Sequence, residues 1–398
     1  MNGVIMDVKD VEKRVMMQTY ARYDLTLARG KGARLWDDKG REYLDFVAGI
    51  AVCNLGHSHD AVNRAICEQA GILTHVSNLY FTEPQTRLAQ ALIENSFADR
   101  VFFANSGAEA NEAAIKLARK YAKDHHGAEH SRIISAEMSF HGRTMATLTA
   151  TGQQKVKIGF DPLLEGFSFI PFNDLPAAEK ALDDRVCAVL VEPIQGEGGV
   201  NVPAPDYLSK LKRLCHDRGA LLIFDEVQVG MGRTGTLFAY ENFGVTPDIM
   251  TLAKAIANGL PMGAALATEE VAASFTPGTH ATTFGGTPLV SAAALAVVHE
   301  LVHGGVLDNC KEMGARLEAG LRNIARKVDG VVDVRGMGLI WAMELNRDVT
   351  DIVKKAQEHG LLINKVQDKA IRFIPPLIIT ASEVDEALET LEKVLRES

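Results

Sequence analysis

The sequence predicts an α/β fold, a mostly parallel buried sheet with helices on its faces, followed by a smaller α+β unit. Two observations predict it. Apolar runs, CAVLV at 187–191 and ALLIF at 220–224, lack the alternation of a half-exposed strand and read as strands covered on both faces, with a further apolar segment, IMTLA, at 249–253 and strands at VFFA, 101–104, and from RIIS, 132–135. Strong helix formers lie between them, at 106–123 and 205–218. From about residue 304 the pattern changes to a helix at 306–327, strands at 332–335 and 338–344, and a helix at 349–359. Strands at 361–366 and 371–374 and a helix at 381–395 complete that unit.

Composition narrows the function classes. With 398 residues there is room for more than one domain, and 47% hydrophobic with 23% charged residues describes a globular chain. The net charge of -9 argues against a nucleic-acid or anionic-membrane partner, while a local arginine still leaves an anionic small substrate open. Cys53, Cys67, Cys187, Cys215 and Cys310 are odd in number and form no CxxC pair, so neither a disulfide framework nor a zinc site is expected. The opening MNGVIMDVKDVEKR carries acids early and no continuous apolar stretch, unlike a secretory signal, and no apolar run reaches the length of a membrane span. A soluble cytoplasmic protein is the expectation.

Taken in order, the chain opens with an arm to about residue 30, a short helix at 12–17 and then TYARYDL. Residues 27–51 read as a strand meander turning at Lys39-Gly40. His57 and His59 have no suitably spaced third ligand and read as loop residues; a helix at 61–73 and the loop SNLYFTEP follow. Ser106 and Glu109 form a capping box, and Gly107 and Ala108 leave the N–H groups of the helix start uncovered, a ready cradle for phosphate. After the strand at 132–135 a loop carries Phe140, His141 and Arg143, the last a planar fork suited to a carboxylate. Glu192 and Glu197 near a strand end suggest a glycosidase pair, but at 6% aromatic residues no sugar platform is evident. Thr282 and Thr283 precede a Gly-Gly turn and a long helix; as isolated residues they read as caps or turns.

The stretch at 220–264 organises the rest. One apolar run ends in Asp225 and Glu226, with Gln228 just beyond, and the next delivers Lys254. Ligands of open α/β sheets bind beyond the carboxyl ends of the strands, so the two runs can bring a carboxylate and an amine to one crevice. Pyridoxal 5'-phosphate needs a lysine for its aldehyde and an acid to keep its pyridine nitrogen protonated, whereas an isolated Asp and Lys would be a cap and a surface charge.

DEVQVGMGRTG followed by TLAKAIANGLP resembles the signature of class III pyridoxal phosphate aminotransferases, and the resemblance runs over nearly the whole chain. LWDDKGREYLDF, SNLYFTEP, NSGAEANEAAIKLAR, FHGRT, VEPIQGEGGV, RGMGL and IRFIPPL follow in the same order. The resemblance implies a fold-type I transferase with a seven-stranded sheet in a large cofactor domain at 57–303. Residues 1–56 would form an N-terminal arm and part of a small domain completed by 304–398.

It further implies that Lys254 carries pyridoxal phosphate, Asp225 pairs the ring nitrogen and Gln228 meets the ring hydroxyl. Phe140 and Val227 would pack on the ring, while Ser106, Gly107, Ala108 and Thr283 of a partner subunit would hold the phosphate, making a homodimer with a shared site. No metal is implied. Tyr20 would contact substrate, Arg143 would bind the distal carboxylate, and Arg372 would take the α-carboxylate of glutamate, with Glu197 neutralising it otherwise. Phe284 and Thr287 depart from the family's Tyr-Gly-Gly-Asn around that phosphate contact.

Ile50 stands where ornithine-specific members have tyrosine, and TYA, LWDDKG, NDL and VTPDI are similar to members acting on N2-acetylornithine with 2-oxoglutarate, in arginine biosynthesis. Succinylornithine, N-succinyl-diaminopimelate and 4-aminobutyrate remain alternative substrates. An aminomutase needs no external keto acid, which Arg372 and Glu197 argue against; a non-catalytic binding protein would have no use for Lys254 and Asp225.

Overall fold

The computed structural model describes residues 7–398; the first six residues of the expected arm lie outside the described residues. Three sheets form. The first joins β1 (Leu27–Lys31), β2 (Arg34–Asp37) and β3 (Glu42–Asp45) as an antiparallel meander. The second contains β4 (Arg100–Ala104), β5 (Arg132–Ala136), β6 (Phe167–Ile170), β7 (Val186–Val191), β8 (Leu221–Asp225), β9 (Ile249–Leu252) and β10 (Gly263–Ala267). The last contains β11 (Val331–Met337), β12 (Ile340–Leu345), β14 (Asn364–Val366) and β15 (Ala370–Phe373), while β13 (Leu361–Leu362) joins the first sheet instead.

The seven strands of the second sheet run in the order β4-β10-β9-β8-β7-β5-β6, and β10 is antiparallel to both of its neighbours while the rest pair in parallel. Strand β7, VCAVLV, is buried at every position, which explains why its sequence is continuous rather than alternating. The helix Gly107–His126 covers one face through Ala110, Ala113, Ala114 and Ala118, small side chains that bring its axis close to β9 and β10. Helix Pro288–His303 packs against helices Asp60–Ala70 and Glu83–Glu94, and its buried Ala293, Ala294, Val297 and Leu301 join the largest core.

Several boundaries move for local reasons. The first helix is Val8–Val15 rather than 12–17 because the Asp7 carboxylate caps it, accepting from the Lys9 N–H at 2.9 Å. The meander ends at Asp45; residues 48–51 form a tight turn in which Ala48, Gly49, Ile50 and Ala51 all have positive φ. His57 is fastened there, its Nε2 2.7 Å from Asp45 Oδ2; burial opposes its charge, but Asp45 and Cys53 outweigh that and hold the pKa near 9. The expected strand at 361–366 is two strands: β13 pairs in parallel with β3, and two residues later β14 pairs with β15. One segment thus serves two sheets.

Helix Val306–Lys327 lies hard against the β11–β12 turn. A Cβ on Gly314 would stand 2.2 Å from the Gly338 carbonyl oxygen, a backbone atom that cannot rotate aside. Alanine for a mid-helix glycine gains about 0.5–1 kcal/mol where there is room, but overpacking against fixed atoms costs about 1–3 kcal/mol. Gly314→Ala is therefore expected to lower Tm in a thermal melt. An unchanged or raised Tm would contradict this close packing.

Candidate active site

At the carboxyl edge of the large sheet, five parallel strands end around one cavity of about 420 Å³. Each following loop supplies part of the wall: Ser106, Gly107 and Ala108 after β4, Phe140 and Arg143 after β5, and Glu192 and Glu197 after β7. Asp225, Val227 and Gln228 follow from β8, and Lys254 from the end of β9. Its volume is within the usual range for small-molecule sites.

Asp225 is the fixed point on one side. Its Oδ2 accepts from Asn111 Nδ2 at 2.7 Å and lies 2.8 Å from His141 Nδ1, while Oδ1 accepts from the Val227 N–H at 3.0 Å. Asn111 in turn donates to the His141 carbonyl and accepts from the Thr251 hydroxyl, at 2.8 and 2.7 Å. Asp225, Asn111, His141 and Thr251 are all buried, so the carboxylate is oriented by fixed donors rather than by water. Glu192 nearby binds the Phe140 and Gly196 N–H groups, at 3.1 and 3.2 Å. Burial, reinforced by the charge of Asp225, raises its pKa. Glu226 faces the other way, accepting from the Ala239 and Tyr240 N–H groups; burial pushes its pKa up to about 8.

Lys254 lines the same cavity with φ of +45°, a left-handed conformation rare for a long side chain. Burial lowers its pKa and the charge of Arg372 acts the same way, against Glu197, Asp225 and Glu192. The balance enlarges the fraction present as a free amine, the nucleophilic form.

Arg372, on β15, is 0% exposed. It stands behind the wall, with Nη1 2.6 Å from Glu197 Oε1 and 3.0 Å from Gln228 Oε1. Burial pushes the Glu197 carboxyl up, but the charges of Arg372 and Lys254, with hydrogen bonds from Arg372 and Gln228, outweigh it and bring the pKa to about 2.

At the cradle, the Ser106 hydroxyl caps helix Gly107–His126, accepting from the Glu109 N–H at 3.2 Å. The expected capping box closes differently: Glu109 Oε2 takes the Asn105 backbone N–H at 2.6 Å. A Cβ on Gly107 would stand 2.7 Å from Val227 Cγ1, so a side chain there would fill the cradle. The Arg143 guanidinium lies 5.3 Å from the Phe140 ring centroid and faces solvent.

Tyr20, 70% exposed, and Thr283 line no part of the cavity. Asn111 and Thr251 were missed in the sequence. Asn111 carried a signal, a polar residue of weak helix propensity on the stripe it shares with Ala114, Ile115 and Ala118. Among the described residues no group of three His, Cys, Asp or Glu side chains is arranged to hold a metal.

Residues 15–395 match the family described as Aminotransferase class-III. The chain is 52% identical over 387 residues to an acetylornithine aminotransferase of Caldanaerobacter subterraneus subsp. tengcongensis, covering 97% of this chain and 98% of that protein. A structure of the ornithine aminotransferase from Toxoplasma gondii, described with partial occupancy of PLP at its active site, superposes with a TM-score of 0.94 at 36% identity, covering 98% and 94% of the two chains. N-acetylornithine aminotransferase from Stenotrophomonas maltophilia K279a gives a TM-score of 0.84 at 38% identity, with 98% of each chain covered.

The Glu197 charge sets a pH dependence. Its folded pKa of about 2 lies below the ordinary carboxylate value of 4.5, so the pair stabilises the fold fully above 4.5 and loses its contribution as pH falls toward 2. Glu197→Gln is expected to lower stability at neutral pH by roughly 3 kcal/mol, with the gap narrowing below about pH 4.5. Denaturant titrations between neutral and acid pH check this; a gap that stays constant well below pH 4.5 would contradict it.

Proposed function

The chain belongs to the class-III aminotransferases, pyridoxal-phosphate-dependent enzymes with small-molecule substrates, and from that premise we propose that it moves the terminal amine of N2-acetylornithine to 2-oxoglutarate. The products would be N-acetylglutamate 5-semialdehyde and glutamate, in arginine biosynthesis. The observation that carries the reading is the pair of buried Arg372 and half-buried Glu197, the latter in the cavity that Lys254 and Asp225 also line. A site that must accept a dicarboxylate in one half-reaction and an amine with one carboxylate in the other needs an arginine whose charge can be covered.

When bound, the cofactor supplies an aldehyde that takes up the substrate amine and a protonated ring that withdraws electrons from the reacting carbon. The residues present fit it: an acid anchored by Asn111 and His141, a lysine of lowered pKa, and a glycine cradle at a helix start. Lys254 would hold the aldehyde and then, displaced, carry a proton on Nζ. Asp225 would keep the ring nitrogen protonated and Gln228 would meet the ring hydroxyl. Phe140 and Val227 would pack on the ring faces. Ser106, Gly107 and Ala108, with Thr283 of the partner subunit, would hold the phosphate. Arg143 would bind the distal carboxylate of either substrate, Tyr20 would contact substrate, and Arg372 would take the α-carboxylate of glutamate.

The reading includes a cytoplasmic homodimer, supported by the exposed Leu79, Tyr80, Phe81 and Phe284. It also takes 57–303 as the cofactor domain, with 304–398 and part of 1–56 as a small domain; the pairing of β3 with β13 supports that union of the two ends. Ile50, two residues from the cavity wall at Val52, supports room for an acylated donor where a tyrosine would stand.

The test is donor preference. With 2-oxoglutarate as acceptor, kcat/KM for N2-acetylornithine should exceed that for ornithine and 4-aminobutyrate by roughly tenfold or more; a preference for either of those would overturn the assignment. Glu197→Ala should slow the single-turnover half-reaction with N2-acetylornithine by roughly 10- to 100-fold, because Arg372 then faces the donor uncovered, and spare the glutamate half-reaction. Equal losses in both would remove the switch from the mechanism.

A further inference from the structure

Gln228 touches both members of the pair. Its Nε2 donates to Glu197 Oε1 at 3.0 Å, and its Oε1 accepts from Arg372 Nη1 at 3.0 Å, the same two atoms that meet each other at 2.6 Å. The three groups close a ring with one donor or acceptor on every side. The amide has only one orientation here: turned over, its NH2 would face the guanidinium and its oxygen the carboxylate. Gly196 passes close beside it, since a Cβ there would stand 1.9 Å from Gln228 Oε1, so the amide takes this place only next to a glycine, which Glu192 in turn holds.

Arg372 Nε and Nη2 are buried without a hydrogen-bond partner among the described residues. Nη1 therefore carries every bond that holds the guanidinium to Glu197 and Gln228, and opening the pair for an incoming carboxylate breaks a closed ring of contacts rather than one ion pair. A neutral amide bonded to both charges stabilises the closed form and lends nothing to a separated Glu197.

We propose that Gln228 is a specificity-determining residue, a latch that holds the Glu197–Arg372 pair closed and so sets the affinity for dicarboxylates against that for the acylated amine donor. This rests on the reading of Arg372 as the receiver of the α-carboxylate. The latch is distinct from the expected contact with the ring hydroxyl, because it uses both ends of the amide on partners outside the cofactor.

The experiment uses glutarate, a dicarboxylate without an amine to react, titrated calorimetrically into holoenzyme. Gln228→Leu, which keeps the volume but neither polar end, is expected to tighten glutarate about three- to tenfold, the net worth of one ordinary hydrogen bond. It should also lower kcat/KM for N2-acetylornithine. Glu197→Ala should tighten glutarate as well, and in that background Gln228→Leu should add nothing. Cofactor affinity, measured on the same variants by equilibrium dialysis, separates loss of a ring contact from loss of the latch.

Unchanged or weaker glutarate binding in Gln228→Leu, or the same gain with and without Glu197, overturns the latch while leaving the switch intact. Failure of Glu197→Ala alone to tighten glutarate overturns the switch reading and the latch with it. Gln228→Ala carries the same expectations should the leucine variant not fold.

Discussion

A fully buried arginine must find oxygen acceptors in place of water, and much of this site follows from that requirement. Arg372 lies on β15 of the last sheet, whereas Glu197 lies in the loop after β7 of the large one, so their bond joins the two. The loop is fastened from the same side: Gln367 donates to the Glu197 carbonyl at 2.9 Å, and Arg335 Nε to the Gly199 carbonyl at 2.9 Å. Arg233, equally buried, reinforces the junction by donating to the carbonyls of Leu339 and Pro375 and to Asn54. Burial pulls its pKa down to about 10. The junction between the sheets thus carries these polar bonds beside a buried apolar cluster of Ile194, Val200, Val229, Ile340, Ala342 and Ile374.

Lys254 connects this junction to the second charge cluster. Glu197 and Asp225 both favour its ammonium, Arg372 and burial oppose it, and the result lies below the ordinary lysine value. Anything that covers or uncovers Arg372 thus acts on the lysine without touching it. Asp225, by contrast, is held by Asn111 and His141 independently of Arg372. The two charge clusters are thus held by separate sets of bonds.

Much of this was legible in the sequence, and the physical reasons differ by element. Continuous apolar runs exposed the parallel strands because burial on both faces removes the need for alternation. The helix Val306–Lys327 was readable to the residue, since its amphipathic pattern is long and ends sharply. The split of 361–366 into β13 and β14 was not, because which sheet a strand joins depends on partners more than three hundred residues away in the case of β3. That Asp225 and Lys254 come from strand ends to one cavity was readable from the two apolar runs that carry them. The closed ring at Gln228 was not, since its partners lie 31 and 144 positions away and nothing in the local sequence sets the direction of an amide.

The central claim is that one cavity takes an acylated diamine and a dicarboxylate in turn through Lys254. Its most direct test is the absorbance of the holoenzyme while N2-acetylornithine is added without a keto acid, followed by 2-oxoglutarate. The account predicts that the visible band of the lysine-bound cofactor falls with the first addition and returns with the second. A band indifferent to N2-acetylornithine, or one that falls and is not restored by 2-oxoglutarate, would contradict it.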